Sequence, residues 1–201
     1  MTEGKLASVF KNALTAAPYT IYQGAILGSV VSGDPKYVFF ALLAIVMGDG
    51  FNAVEKVIAK KLMGKTSAVG ARPSGCGIAK GVQCTGCGIY PACGKSSHTW
   101  GMPSGHAQIT SFAATYWTIY VWMRCKTAGT KDKKKLRIQA IVATLIMWSL
   151  SVMVWSQRVY SGCHTALQII IGALLGSALG VGGYYVSTLV FPANSLPKLA
   201  L

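Results

Sequence analysis

Two histidines, two arginines, a lysine and a Ser-Gly turn fall into three short motifs along this chain. Together they suit the holding and breaking of a phosphate ester. Lys65-x6-Arg72-Pro73 comes first, Pro103-Ser104-Gly105-His106 second and Arg158-x5-His164 third, with Gln168 one helical turn further on. A phosphate monoester or diphosphate carries dense negative charge that must be met before attack. Lys65, Arg72 and Arg158 supply cationic donors, and a guanidinium can grip two oxygens at once. Ser104 and Gly105 open a helix after Pro103, where free N–H groups and the helix dipole favour an anion. Gly105 lets the backbone approach closely, and the Ser104 hydroxyl adds a further bond. His106 and His164 each begin a helix. One imidazole can attack phosphorus, while the other protonates the departing oxygen and later activates water. The three cations stabilise the transition state, so this chemistry needs no metal and no other cofactor. The chain has only five acidic residues, and Mg²⁺ is usually held through carboxylates.

The elements that carry these motifs are apolar. Of 201 residues, 52% are hydrophobic and 12% charged, with positive mean hydropathy. Soluble domains carry about 25% charged residues, so the composition predicts an all-α, polytopic membrane bundle, one domain over 1–201. Segments of roughly 20 apolar residues fall at about 107–124, 139–157 and 166–191. Another lies at 37–56, with Asp49 and Glu55 near its end, and a weaker fifth at 18–32. Leu6, Val9, Phe10 and Leu14 fit either a short amphipathic helix on the membrane surface or a simple terminal helix. The N-terminus lacks the pattern of a cleavable signal peptide.

The net charge of +14 does not predict a nucleic-acid partner, because the basic residues cluster in loops between apolar spans. Arg124, Lys126, Lys131, Lys133, Lys134, Lys135 and Arg137 face only Asp132 in the 124–137 loop. The positive-inside rule makes that loop cytoplasmic. All three motifs then converge on the non-cytoplasmic surface. Lys60 and Lys61 read as anchors at a helix end, and His98 as a polar loop residue. Gly172-x3-Gly176-x3-Gly180 lets a second helix approach closely, from the same bundle or from a homodimer.

The three motifs resemble the tripartite signature of the type 2 phosphatidic acid phosphatase superfamily, over about 65–168. That resemblance implies a phosphohistidine on His164 and an acid/base role for His106. It also implies a phosphate clasp of Lys65, Arg72 and Arg158, assisted by Ser104 and Gly105. Two positions depart from the family pattern: Gln157 stands where Ser is common, and Gln168 where most members have Asp. Gln168 would still orient His164, with weaker charge stabilisation. Gly101-Met102-Pro103-Ser104-Gly105-His106-Ala107-Gln108 and Arg158-Val159-Tyr160…His164-Thr165-x2-Gln168 are similar to the dolichyl-diphosphate phosphatase branch, which also carries this Gln. The branch implies hydrolysis of a membrane lipid, dolichyl diphosphate, at the lumenal face of the endoplasmic reticulum. Gly105 replaces the branch's Ser. A broader lipid phosphate phosphatase and a non-catalytic lipid-phosphate binding or transport protein are the alternatives.

Cys76, Cys84, Cys87 and Cys93 lie in the 64–103 loop, the last three followed by His98. Their spacing allows two disulfides, a structural zinc or free thiols. Cys125 and Cys163, at helix ends, read as packing residues.

Overall fold

A computed structural model of the chain describes residues 3–64, 67–73, 84–85, 87, 92–93, 100–127, 129 and 133–191. Helix α1 (Glu3–Thr15) and α2 (Ala17–Ser32) lead the chain. Gly33 ends α2 in the left-handed region, at φ 67°. The side chain of Asp34 then caps α3 (Pro35–Leu43) by accepting from the Lys36 N–H at 3.0 Å, the usual work of an acidic N-cap. Helix α3 runs on through a π-helical stretch, Ala44–Gly50, into α4 (Phe51–Met63). Two-residue strands β1 (Cys84–Thr85) and β2 (Ala92–Cys93) pair antiparallel, Cys84 opposite Cys93. Helices α5 (Gly105–Thr127), α6 (Lys133–Tyr160) and α7 (Ala166–Val190) complete the fold.

The structure is the helical membrane bundle that composition predicts, and its spans differ in character. Pro35–Met63, Lys133–Tyr160 and Ala166–Val190 are long and apolar enough to cross a bilayer. The expected span at 107–124 lies within α5, which has 23 residues. Its buried face includes Gln108, Thr110 and Ser111, so it is the bundle's central post rather than a uniformly apolar helix. Thr110 and Ser111 donate back to the carbonyls of His106 (2.8 Å) and Ala107 (2.7 Å). At 1.5 Å per residue, the 16 residues of α2 extend about 24 Å, short of the roughly 30 Å hydrocarbon core.

Lipid offers little hydrophobic drive for helices to associate, so close packing must hold them. The glycine ladder does this within the chain. A β-carbon at Gly172 would stand 2.5 Å from the Ser104 carbonyl oxygen, and one at Gly180 2.7 Å from that of Phe112. At Gly176 it would overlap the Gln108 carbonyl. The face that a second copy would need is therefore occupied by α5. Phe40, Tyr116 and Tyr184 fill the space beside it, with ring centroids 4.8 and 5.8 Å apart. The Tyr116 hydroxyl donates to Ser187 Oγ at 2.9 Å, fastening α5 to α7.

Candidate active site

Helix α6 delivers Arg158 in its last turn and stops two residues later. Gly162, at φ 68°, then turns the chain back; a β-carbon is disfavoured at that angle. The N–H groups of Cys163 and His164 both donate to the Arg158 carbonyl, at 3.0 and 3.2 Å. This reversal is what the x5 spacing encodes: the histidine returns over the arginine that precedes it. Thr165 then caps α7.

Gln168 ties the turn together. Its Oε1 accepts from His164 Nδ1 at 3.1 Å and from the Thr165 N–H at 3.3 Å, and Thr165 Oγ1 accepts from the Gln168 N–H at 3.3 Å. The Gln168 Nε2 donates to the carbonyls of Val69 (2.9 Å) and Ala71 (2.7 Å). Because both amide hydrogens have carbonyl acceptors, the amide has one orientation. An acceptor oxygen then faces Nδ1, which must carry the ring proton, leaving the free lone pair on Nε2. The capping-box spacing Thr165-x2-Gln168 is a sequence signal for this double role.

Arg72 Nη1 lies 3.5 Å from His164 Nε2 and donates to the Cys163 carbonyl at 3.0 Å. Arg158 is fully buried and donates from Nη2 to the Cys87 carbonyl. Cys87 and Cys163 form a disulfide with Cα atoms 5.6 Å apart, a normal separation for such a bond. This corrects two expectations. Cys163 is not a packing thiol, and Cys87 bonds outside its own cluster and is closed to zinc. The Gly162 turn buries Cys163 beside the segment bearing Cys87, a proximity that sequence spacing cannot reveal. Cys76, His98, and the side chains of Cys84 and Cys93 lie outside the described residues, as does Lys65. Cys125 is a free, buried cysteine.

At the start of α5, Ser104 is fully buried. Its Oγ accepts from the Ala107 N–H at 3.4 Å, and its own N–H donates to the Gln168 carbonyl at 3.1 Å. Ser104 thus caps the helix and fastens it to α7. Gly105 packs on Asn52 of α4, whose Nδ2 donates to Gln108 Oε1 at 2.6 Å. The His106 Nε2 donates to the Thr15 carbonyl at 3.0 Å, at the end of α1. Gln157 sends its amide to Thr15 Oγ1 at 3.4 Å, a partner that the family's Ser is too short to reach. The structure therefore unites His164, Gln168, Arg72 and Arg158, and sets His106 beside them against α1.

Lys56 is the residue that sequence reasoning missed. It lies one turn beyond Asn52 on α4, half-buried, and its charge bears on both His106 and His164. No motif marks it; only the docking of α4 against Gly105 brings it near.

Burial first, then the charges of Arg72 and Arg158, push the His164 imidazole down from 6.5 to about 2, and Lys56 adds to the effect. The charges acting on this ring are all positive. Between those two values the unfolded chain holds a proton that the folded protein does not. The stability contributed by neutral His164 is thus complete above pH 6.5 and is lost as pH falls toward 2. At pH 5 the loss is about 2 kcal/mol, at roughly 1.4 kcal/mol per pH unit. Burial and then the charge of Arg158 hold His106 down to about 3, which adds a similar drop. Thermal unfolding of the ligand-free protein at pH 7 and pH 5 will show the sum, and His164→Gln will remove about half of it. An equal pH response in the variant would assign the effect to another group.

Residues 37–191 match a known family, described as the PAP2 superfamily. Lipid phosphate phosphatase gamma of Arabidopsis thaliana is 34% identical over 129 residues, 64% of this chain and 48% of that protein. The chain thus spans about half the length of the curated relative it matches. No solved structure matches the chain.

Proposed function

We propose that this chain, which belongs to the PAP2 superfamily, is an integral membrane lipid phosphatase that works through a phosphohistidine on His164. One observation carries the reading: a neutral imidazole, its Nδ1 held by Gln168, presents Nε2 to Arg72, and the charge of the buried Arg158 also bears on the ring. Cations crowding an uncharged nucleophile favour a phosphate as the ligand. In the first step the Nε2–P bond forms as the P–O bond to the leaving group breaks. Arg72 and Arg158, joined by Lys65, neutralise the equatorial oxygens, and Lys56 adds a more distant positive charge. His106 takes up a proton at Nδ1 as the phosphate anion binds and passes it to the leaving oxygen. Its Nε2 is anchored on the Thr15 carbonyl, so Nδ1 is the nitrogen that exchanges protons. It then takes a proton from water as the water oxygen bonds to phosphorus and the P–N bond breaks.

A cavity of about 650 Å³ lies between α1, α2, α5 and α6, with Leu14, Ile21, Thr110, Ala114, Trp117 and Val154 in its wall. Thr110 is one turn below His106, a position suited to the apolar tail of a lipid. Within lipid phosphates we favour dolichyl or another polyprenyl diphosphate, on the motif resemblance and on Gln168. The name of the Arabidopsis relative favours a broader lipid phosphate phosphatase acting on phosphatidic acid or diacylglycerol pyrophosphate. A disulfide beside the site suits an oxidising compartment, which supports a non-cytoplasmic face and, with the dolichyl reading, the lumen of the endoplasmic reticulum.

Protein purified in detergent with EDTA should release phosphate from dolichyl diphosphate at least about tenfold more efficiently than from phosphatidic acid, a difference of about 1.4 kcal/mol. Equal or reversed efficiencies would move the substrate to the broader class. Release from neither would remove the phosphatase reading.

A further inference from the structure

We infer that the Cys87–Cys163 disulfide positions the phosphate-binding arginines, and that turnover requires this bond to be oxidised. The inference rests on the phosphatase reading. Each end of the covalent bond carries a carbonyl that orients one arginine. Arg158 Nη2 donates to the Cys87 oxygen, and Arg72 Nη1 donates to the Cys163 oxygen at 3.0 Å. Cys163 also donates its own N–H to the Arg158 carbonyl at 3.0 Å and directly precedes His164. Both half-cystines are buried, Cys163 completely. The bond joins positions 76 residues apart, holding the Cys87 carbonyl against the turn that presents the nucleophile.

A buried guanidinium is costly to leave without its acceptors, so the place of the Cys87 carbonyl helps to fix where Arg158 points. Reduction by a dithiol breaks the S–S bond. Two electrons and two protons pass to the cysteines, giving two thiols, and the dithiol becomes its cyclic disulfide. The covalent tie between the Cys87 carbonyl and the Arg158–His164 turn is then gone. The cysteines touch no reacting atom; they act through the arginines and the turn.

The test uses the full chain in detergent with EDTA, assayed on dolichyl diphosphate and phosphatidic acid before dithiothreitol, after it, and after reoxidation. Reduction should lower kcat/KM about 10- to 100-fold, the scale of a hydrogen bond to a charged group, and reoxidation should restore it. Cys87→Ser and Cys163→Ser should show the low rate and ignore dithiothreitol. Cys125→Ser should keep the wild-type rate and the sensitivity. Arg158→Lys separates positioning from simple stapling: its cost should be large in oxidised protein and small in reduced protein. Equal costs in both states, or full activity with both thiols titrated, would overturn the inference and leave the phosphatase reading standing. Vanadate affinity, measured by calorimetry, reads the arginines without turnover and should weaken about tenfold on reduction. If oxidised protein released no phosphate from any lipid, the phosphatase reading would fail. Vanadate affinity unchanged by reduction would then sink the positioning role separately.

Discussion

His164→Ala is expected to abolish phosphate release, with kcat falling on the order of 10⁵- to 10⁶-fold, the scale seen when a nucleophile and its base act as one unit. The size of the effect follows from the geometry. His164 Nε2 stands 3.5 Å from Arg72 Nη1, and its other nitrogen is held by Gln168. No other histidine among the described residues shares that position, since His106 is anchored on Thr15. The variant keeps Arg72 and Arg158, so on the proposed mechanism vanadate should still bind while labelled substrate leaves no acid-labile phosphate on the protein. His106→Ala should be slower than wild type by about 10²- to 10⁴-fold, the usual range for a general acid or base. Retention of a protein-bound phosphate in His164→Ala would move the nucleophile elsewhere.

Gln168→Asp is expected to damage the protein, although it installs the residue that most of the superfamily carries at this place. The fully buried Gln168 accepts twice through Oε1 and donates twice through Nε2. A carboxylate would face the Val69 and Ala71 carbonyls with no hydrogens to offer, from a side chain one methylene shorter. Two buried carbonyls without donors cost about 2–6 kcal/mol. The same segment leads to Arg72, so the loss reaches the proposed phosphate clasp as well. We expect kcat/KM to fall about 10²- to 10³-fold, a loss of about 3–4 kcal/mol, with a lower unfolding temperature. An amide that replaces a catalytic carboxylate elsewhere costs about 10⁴ mainly by stabilising the wrong tautomer. Here the two carbonyls prevent the amide from turning, and the tautomer is kept. If Gln168→Asp matched or exceeded the wild-type rate, charge stabilisation of His164 would outweigh the amide's other bonds.

Much of this site is legible in the order of residues alone, because its chemistry is local. Arg158-x5-His164 is the length of one helix end and one glycine turn, so both residues meet whatever the rest of the bundle does. His164 and Gln168 stand four apart across the cap of α7, a distance set by helical pitch alone. The membrane character follows from composition, and the ends of α4, α5, α6 and α7 alternate by connectivity. Tertiary structure decided what distant helix faces bring together. The Gln168 amide meets Val69 and Ala71 across 99 and 97 residues, and Arg158 meets Cys87 across 71. Lys56 reaches the site because Asn52 docks on Gln108, and His106 is turned by the end of α1. Periodicity shows which face of a helix is apolar; it does not say which neighbour that face will meet. The disulfide is the clearest case: six cysteines in a chain show that pairing is possible, and only packing chose Cys87 with Cys163.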